Sequence, residues 1–178
     1  AGSISVVYGT ANDNYGSTGT VPFSVEDALK AWVDVRAYGA VGDGVTDDST
    51  AIQAAMDSIP AWSLSPGGSG GNAIMGGGTL YFPPTTSGYY VGTAINITKS
   101  KVRVLGGPAK IIVDNAVNGF VYDYSGSTNK SGVFFENLDF YGGLIQIDVG
   151  TNVVPQPAFV IGCRFVGANT AGIRFGPN

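Results

Sequence analysis

Hydrophobic and polar positions alternate over short distances along the second half of the chain. From residue 79 onwards, short segments rich in Val, Ile, Phe and Tyr recur, and glycine, asparagine or proline separates them. This pattern predicts a succession of short strands joined by turns, with no further helical periodicity. The segments are TLYF, YYVG, AINIT, KVRVLGG, KIIVD, GFVYDY, GVFFENLDFYGG, LIQIDV, AFVIGCRFVG and GIRFG.

A repeat within these segments predicts how the strands are arranged. The stretch FFENLDFYGG at 134–143 aligns with FVIGCRFVGA at 159–168, an offset of 25 residues (159 − 134). The superposed pairs are Phe134 with Phe159, Leu138 with Cys163, Phe140 with Phe165 and Gly142 with Gly167. A period of this size is typical of a solenoid, in which like residues stack from coil to coil. Two copies alone would also fit a β-sandwich.

The first part of the chain carries two helical patterns. Residues 1–23 are rich in Gly, Ser, Thr and Asn and indicate a lead-in arm. Ser24 and Asp27 form a capping signature for a short helix reaching Trp32, after which VDVRAYGA alternates like a strand. A second helix runs up to Pro60, and the glycine-rich WSLSPGGSGGNAIMGGG then predicts a loop or an insertion. The buried stripe of the second helix consists of Ala51, Ile52, Ala55, Met56 and Ile59.

The stretch YGAVGDGVTDD, which precedes the second helix, gathers three glycines and three aspartates. A phosphate-binding loop is disfavoured because the glycine spacing differs from G-x-G-x-x-G and no P-loop lysine follows. An EF-hand calcium loop is disfavoured because its ligand pattern is absent. Thr46 or Asp47 can instead cap the helix, with Asp47 and Asp48 placing negative charge in its first turn. The residues assigned to a structural turn and helix cap are Gly42, Asp43, Gly44, Thr46, Asp47 and Asp48.

The amino-acid composition excludes several classes of partner and of chemistry for this protein. Of the residues, 44% are hydrophobic, only 12% are charged and 28 are glycine, which fits an all-β chain with many tight turns. The net charge of −4, without a basic run, disfavours nucleic acid as a partner, and no stretch is long enough for membrane insertion. The chain has no histidine, and the single Cys163 excludes an intrachain disulfide. We expect no cofactor and no bound metal.

Three consecutive motifs carry a family resemblance over residues 33–113. VDVRAYGAVGDGVTDDSTAIQAAMD, GGGTLYFPP and YYVGTAINITKSKVRVLGG follow one another with the order and spacing of the pectate-lyase-like, right-handed parallel β-helix superfamily. The resemblance implies an all-β fold, a right-handed parallel β-helix (solenoid), whose N-terminal coils are capped by a short α-helix. It also agrees with the architectural assignment of the aspartate-rich stretch. Residues 1–32 then form a lead-in arm and short helix, and residues 33–178 form the capping element and first coils of a β-helix that continues beyond them.

Within that superfamily, the SVEDALKAW segment most resembles bacteriophage tailspikes and tail fibres. This implies a homotrimer, attached through its N-terminal region to other phage tail proteins and located in the virion. The expected function is to bind, with or without depolymerising, bacterial surface polysaccharide, this segment being mainly scaffold. The alternatives are a fragment of a free secreted polysaccharide lyase or glycoside hydrolase, and a non-catalytic structural or adhesive β-helix.

The sequence offers one candidate catalytic cluster, formed by Glu136, Asp139 and Arg164. The repeat offset places Asp139 beside Arg164 on neighbouring coils, facing outward, and a surface ion pair is the favoured interpretation. Turn roles are expected for Asp114, Asp123 and Asp148, which fall near strand ends. The tyrosines that could stack on sugar rings, or alternatively belong to the core, are Tyr89, Tyr122, Tyr124 and Tyr141. We expect no cleavage of polysaccharide by this segment alone, because opposed carboxyl groups are not evident.

Overall fold

The computed structural model describes residues 31–63, 74–122, 132–149 and 158–175. They form one α-helix, α1 (Ser49–Ser58), one 3-10 helix (Val35–Tyr38) and a series of short strands. The strands are β1 Trp32–Asp34, β2 Asp43–Asp47, β3 Ala61–Ser63, β4 Ile74–Phe82, β5 Gly88–Val91, β6 Ile95–Asn96, β7 Ser100–Val113, β8 Asn118–Tyr122, β9 Val133–Gly142, β10 Ile145–Val149, β11 Ala158–Ile161, β12 Arg164–Val166 and β13 Ala171–Phe175.

The strands wind into a solenoid with two parallel sheets. The larger sheet, here called sheet A, stacks β4, β7 and β9 and ends in β11 and β12. The smaller one, sheet B, stacks β6, β8, β10 and β13. Because the chain visits sheet A and then sheet B before it returns to sheet A, each circuit is one coil. The predicted all-β parallel β-solenoid with a short helix is confirmed.

Ladders of apolar side chains fill the interior, one position per coil. In sheet A, the register aligns Val33, Leu80, Val104, Phe135 and Val160. In sheet B it aligns Ile95, Phe120, Ile147 and Ile173. Most of these side chains are fully buried, and Phe120 meets rings of sheet A edge to face. Each ladder therefore has two effects: it buries apolar surface and it fixes the register of the strands.

The 25-residue repeat is confirmed by the pairing of β9 with β11 and β12. Phe134 pairs with Phe159 and Phe140 with Phe165, and in each pair the rings stack in parallel, with centroids 4.7 Å and 5.3 Å apart. Cys163, which the repeat aligns with Leu138, is partly buried and packs against the core as a free thiol. Burial raises the pKa of this thiol.

Helix α1 closes the end of the solenoid next to β1 and β6. Its predicted stripe is confirmed, since Ile52, Ala55 and Met56 are fully buried. Pro60 follows the helix and has no backbone N–H with which to continue the helical hydrogen bonding. The ammonium of Lys99 donates to the carbonyls of Met56, Asp57 and Ile59, at 3.3, 2.6 and 2.5 Å, so a buried cation satisfies the carbonyl end of the helix dipole.

Two predictions near the start of the described chain were wrong. The strand predicted for VDVRAYGA stops at Asp34, whose carboxylate accepts a hydrogen bond from the Arg36 amide (2.9 Å) and starts the 3-10 helix; Gly39, at φ +100°, ends it. Trp32 lies in β1, so the first predicted helix cannot reach it. The rest of that helix and the lead-in arm lie outside the described residues.

The glycine-rich segment predicted as a loop is strand at both described ends. The backbone of β3 pairs antiparallel with the first residues of β4, so β4 begins at Ile74 rather than at the predicted TLYF segment. The loop prediction was wrong for these two ends because glycine in a strand is tolerated where a partner backbone supplies the hydrogen bonds. Residues 64–73 lie outside the described part.

Candidate functional site

The aspartate-rich stretch forms an irregular strand edge held by its own side chains. Gly42 and Gly44 have φ of +69° and +80°, and a Cβ on Gly42 would lie 2.6 Å from the Thr85 side chain. The Asp43 carboxylate accepts hydrogen bonds from the amides of Val45 (2.9 Å) and Thr46 (2.7 Å) and from the Thr46 hydroxyl (2.7 Å). These hydrogen bonds lower the pKa of Asp43, and the bond from the Val45 amide has the largest effect. Its acceptor capacity is thus used locally.

The two aspartates before α1 bind backbone amides in a way that differs from the predicted capping. The helix begins after Asp48, which occupies the cap position without a capping side-chain bond, and no acidic residue lies in the first turn. Asp48 is buried and accepts from the amides of Val41 (2.6 Å) and Gly42 (3.1 Å). The predicted capping by Thr46 was therefore wrong, because its hydroxyl donates to Asp43 instead.

Asp47 joins the helix start to the corner after β5. Its Oδ1 atom accepts from the Ser49 amide (3.0 Å), the Ser49 hydroxyl (2.5 Å) and the Gly92 amide (3.1 Å). Desolvation raises the pKa of Asp47, but the hydrogen bonds from Ser49 and Gly92 outweigh it, so the net shift is downward. These hydrogen bonds tie the stretch to the start of α1 and to the corner after β5. Within the described ranges, no group of three or more potential metal ligands occurs.

Four polar side chains meet on the outer surface of sheet A, and we call them the Tyr141 cluster: Lys110, Asp139, Tyr141 and Arg164. The register aligns Lys110, Asp139 and Arg164 from coil to coil. Arg164 donates to Asp139 at 2.7 Å and also to the Tyr141 hydroxyl. The Lys110 ammonium and the Arg164 guanidinium each lie 5.4 Å from the Tyr141 ring centre. The outward pairing of Asp139 with Arg164 was predicted from the repeat and is present.

Glu136 does not join Asp139 and Arg164. It accepts two hydrogen bonds from Arg103 on the preceding coil, one of them 2.8 Å from Nε. Asn137, at φ +54°, and a register shift between Leu105 and Ala109 turn the sheet between Glu136 and Asp139. The structure therefore divides the predicted cluster into two ion pairs on either side of a bend.

A third ion pair lies on sheet B and was missed by sequence reasoning. Asp148 lies within β10, where Arg174 donates to it from Nε at 2.9 Å and through a second nitrogen, and Asn118 donates at 3.1 Å. The Asp148 side chain is only 4% exposed. The predicted turn role of Asp148 was wrong because its carboxylate is bound by side chains of the neighbouring coils, those of Arg174 and Asn118. The signal was available, since Arg174 follows at 26 residues, close to the repeat offset.

The other expected polar residues divide between turn, core and undescribed segments. Asp114 has the predicted turn role: it accepts from the Ala116 amide and the Tyr90 hydroxyl, both at 2.9 Å. Tyr89 and Tyr122 are fully buried core residues and cannot stack on sugars. Burial raises the pKa of Tyr89 to about 12. Asp123 and Tyr124 lie outside the described residues.

Gln146 is a buried polar residue that the sequence did not reveal. Its Nε2 donates to the carbonyl of Gly142 (2.7 Å) and to that of Val166 on the next coil (2.9 Å), so it joins the corner between the sheets. Its Oε1 atom is buried and has no partner. The equivalent position on the preceding coil is Gly119. It has no room for a side chain, because a Cβ there would lie 2.5 Å from the backbone carbonyl oxygen of Gln146.

An open groove of about 450 Å³ runs between α1 and β6. Gln53 spans it, donating to the Asp57 carboxylate (3.0 Å) and exchanging hydrogen bonds with the Asn96 backbone (3.1 and 2.8 Å). These bonds attach the helix to the first strand of sheet B. Across the described part of the chain, no helix has the length and apolarity needed to span a membrane.

The coil stacking and the ion-paired outer surface define the class of protein as a parallel β-solenoid. A family model described as "Rhamnogalacturonase A/epimerase, pectate lyase-like" matches residues 32–124, and the chain belongs to this family. The resemblance inferred from the motifs over residues 33–113 is thereby confirmed.

Curated relatives share the sequence over part of their length. The chain is 33% identical over 159 residues to "Non-secreted LysM effector LysM15" of Penicillium expansum, covering 83% of this chain and 10% of that protein. It is 23% identical over 137 residues to "Tail spike protein" of Shigella phage Sf6, covering 75% and 20%. It is 33% identical over 97 residues to "Mannuronan C5-epimerase AlgE2" of Azotobacter vinelandii, covering 52% and 8%. The chain thus spans a fifth or less of each of these relatives.

Among solved structures, the chain is similar to Geobacillus virus E2 ORF18, with a TM-score of 0.48 and 27% identity, over 71% of this chain and 26% of that one.

Proposed function

We propose that this chain belongs to a β-helix protein that binds polysaccharide, and that most of it is scaffold. The family assignment and the solenoid support this proposal. The observation that carries the scaffold role is that each candidate catalytic carboxylate is already bound by an arginine: Glu136 by Arg103 and Asp139 by Arg164. Glycosidic cleavage needs one carboxyl group as an acid and a second in the opposed role. Arginine-bound carboxylates on either side of a bend do not supply that pair.

We further propose that the whole protein is of the tailspike or tail-fibre type and recognises bacterial surface polysaccharide as a homotrimer in the virion, with its N-terminal region bound to other tail proteins. The match to the Shigella phage tail spike, over 75% of this chain, supports this proposal. Any depolymerising activity would then belong to a part of the protein outside the described residues or to a neighbouring chain.

A second candidate is a free enzyme that modifies or cleaves a polyuronate. The family description and the match to mannuronan C5-epimerase AlgE2, at 33% identity over 97 residues, favour it. That candidate predicts a monomer with activity on uronate polymers, whereas the tailspike candidate predicts a trimer.

The test combines binding and turnover on the purified chain. It is incubated with host capsule, lipopolysaccharide, polygalacturonate and mannuronan. Binding is followed by affinity electrophoresis, and turnover by reducing ends and by the absorbance of unsaturated products. We expect binding without turnover. Absence of binding to all four polymers would overturn the proposal. Turnover that disappears in Asp139→Asn or Glu136→Gln would replace the scaffold role with an active site on sheet A.

A further inference from the structure

The Tyr141 cluster contains one cation without a carboxylate partner. Lys110 lies beside Asp139 in the ladder, but Asp139 is bound by Arg164, and within the described ranges no carboxylate is in salt-bridge distance of the Lys110 ammonium. The Lys110 stem lies over Gly88, where an added Cβ would come within 3.0 Å of three of its carbons. The ammonium lies over the Tyr141 ring, within the distance at which a cation is attracted to an aromatic face.

The cluster is oriented along the axis of the solenoid. Strands of neighbouring coils lie about 4.8 Å apart, so Lys110 and Arg164, two coils apart, flank Tyr141 with about 10 Å between their strands. Because Arg164 donates to the Tyr141 oxygen, the phenolic hydrogen can be donated outward. The cluster contains two cations and one carboxylate, so it has a local excess of one positive charge on a chain whose net charge is −4. The Tyr141 hydroxyl adds a neutral donor.

We propose that the Tyr141 cluster binds the carboxylate of an acidic polysaccharide, with Lys110 and Arg164 facing the anion and the Tyr141 hydroxyl donating to it. This inference rests on the proposed function and names the ligand class of one surface. An anion is favoured over a neutral sugar because the two cations at Tyr141 are balanced by only one carboxylate, Asp139. The outer side chains next to Tyr141 on neighbouring coils, Ile112 and Val166, are apolar and offer no competing charge.

The experiment measures affinity for three soluble polymers: polygalacturonate, which carries carboxylates, dextran sulfate and neutral dextran. Affinity electrophoresis at low and at physiological salt compares the wild-type chain with Lys110→Gln, with Lys110→Gln/Arg164→Gln and with Tyr141→Phe. The matched control is Lys101→Gln, which removes the same charge from an exposed lysine of the same strand. Far-UV circular dichroism melting confirms that each variant is folded.

We expect polygalacturonate to bind and dextran not to bind. Lys110→Gln should weaken binding about two- to fivefold and the double variant about tenfold, as for solvent-exposed ion pairs. Tyr141→Phe should weaken it about twofold, and Lys101→Gln should leave it unchanged. Added salt should weaken the wild type more than the double variant.

The outcomes separate this inference from the proposed function. Equal losses in Lys110→Gln and Lys101→Gln, or no loss in either, would overturn the Tyr141 site. Preference for dextran sulfate would overturn the carboxylate assignment. Binding of a neutral polymer that none of the variants affects would overturn the anion site and leave the proposed function in place. Absence of binding to these polymers and to bacterial capsule and lipopolysaccharide would overturn both.

Discussion

Two ion pairs join neighbouring coils in the same way but lie in different environments. On sheet A, Asp139 pairs with Arg164, and the side chains are 37% and 59% exposed. On sheet B, Asp148 pairs with Arg174, and the side chains are 4% and 25% exposed. The spacings along the chain are nearly equal, at 25 and 26 residues.

The comparison shows that coil register brings the partners together and that burial decides what the pair does. A carboxylate removed from water depends on each of its donors, and Asp148 has them from both Arg174 and Asn118. An exposed pair is screened by solvent and contributes little to stability, which leaves Arg164 available to a ligand. The sheet B pair is accordingly structural, and the sheet A pair is the one we assign to recognition.

The largest effect is expected from Arg174→Met. This variant leaves the Asp148 carboxylate buried without its cation, which should lower the free energy of unfolding by about 3 kcal/mol. Urea denaturation followed by circular dichroism measures it. The double variant Asp148→Asn/Arg174→Met removes the uncompensated charge and should recover most of the loss. A loss below about 1 kcal/mol in the single variant would contradict the buried role.

A buried cation bound only by carbonyls extends the comparison. Lys99→Met removes the ammonium from the end of α1 and takes its hydrogen bonds from the carbonyls of Asp57 and Ile59, whereas Met56 keeps the bond from the Ile59 amide. We expect a loss of about 1–2 kcal/mol in the same urea experiment. Lys101→Met is the matched control, since Lys101 is exposed and close in the chain. Equal effects in the two variants would show that the contact with the helix end does not stabilise the fold.

The fold could be predicted because its determinants are local or repetitive. The stacked pairs Phe134–Phe159 and Phe140–Phe165 recur at one offset, and the stripe of α1 has helical spacing. Glycines with positive φ, such as Gly142 and Gly167 (+70° and +67°), mark equivalent corners of successive coils. Each of these signals depends on residue type and spacing alone.

The site could be predicted only in part, because its contacts depend on the path between coils. Glu136 and Asp139 are close in sequence, and although Asn137 is a residue type that tolerates a positive φ, that alone does not predict the bend that separates them. Asp148 falls near the end of LIQIDV, and nothing in that segment reveals that its carboxylate pairs with Arg174 on the next coil. The buried contacts of Lys99 and Gln146 join elements distant in the chain, which a propensity-based interpretation does not address.

The smallest effect is expected from Arg164→Gln, and it tests the comparison most directly. Because the Asp139–Arg164 pair is exposed to solvent, its loss should change the free energy of unfolding by no more than about 0.5 kcal/mol, in contrast to Arg174→Met. Arg103→Gln, which breaks the pair with Glu136, whose side chains are 44% and 18% exposed, should have an effect between those of Arg164→Gln and Arg174→Met. The measurement is urea denaturation at low and high salt. If Arg164→Gln destabilised the chain as much as Arg174→Met, burial would not distinguish the two pairs, and Arg164 would be a structural residue rather than a ligand-binding one.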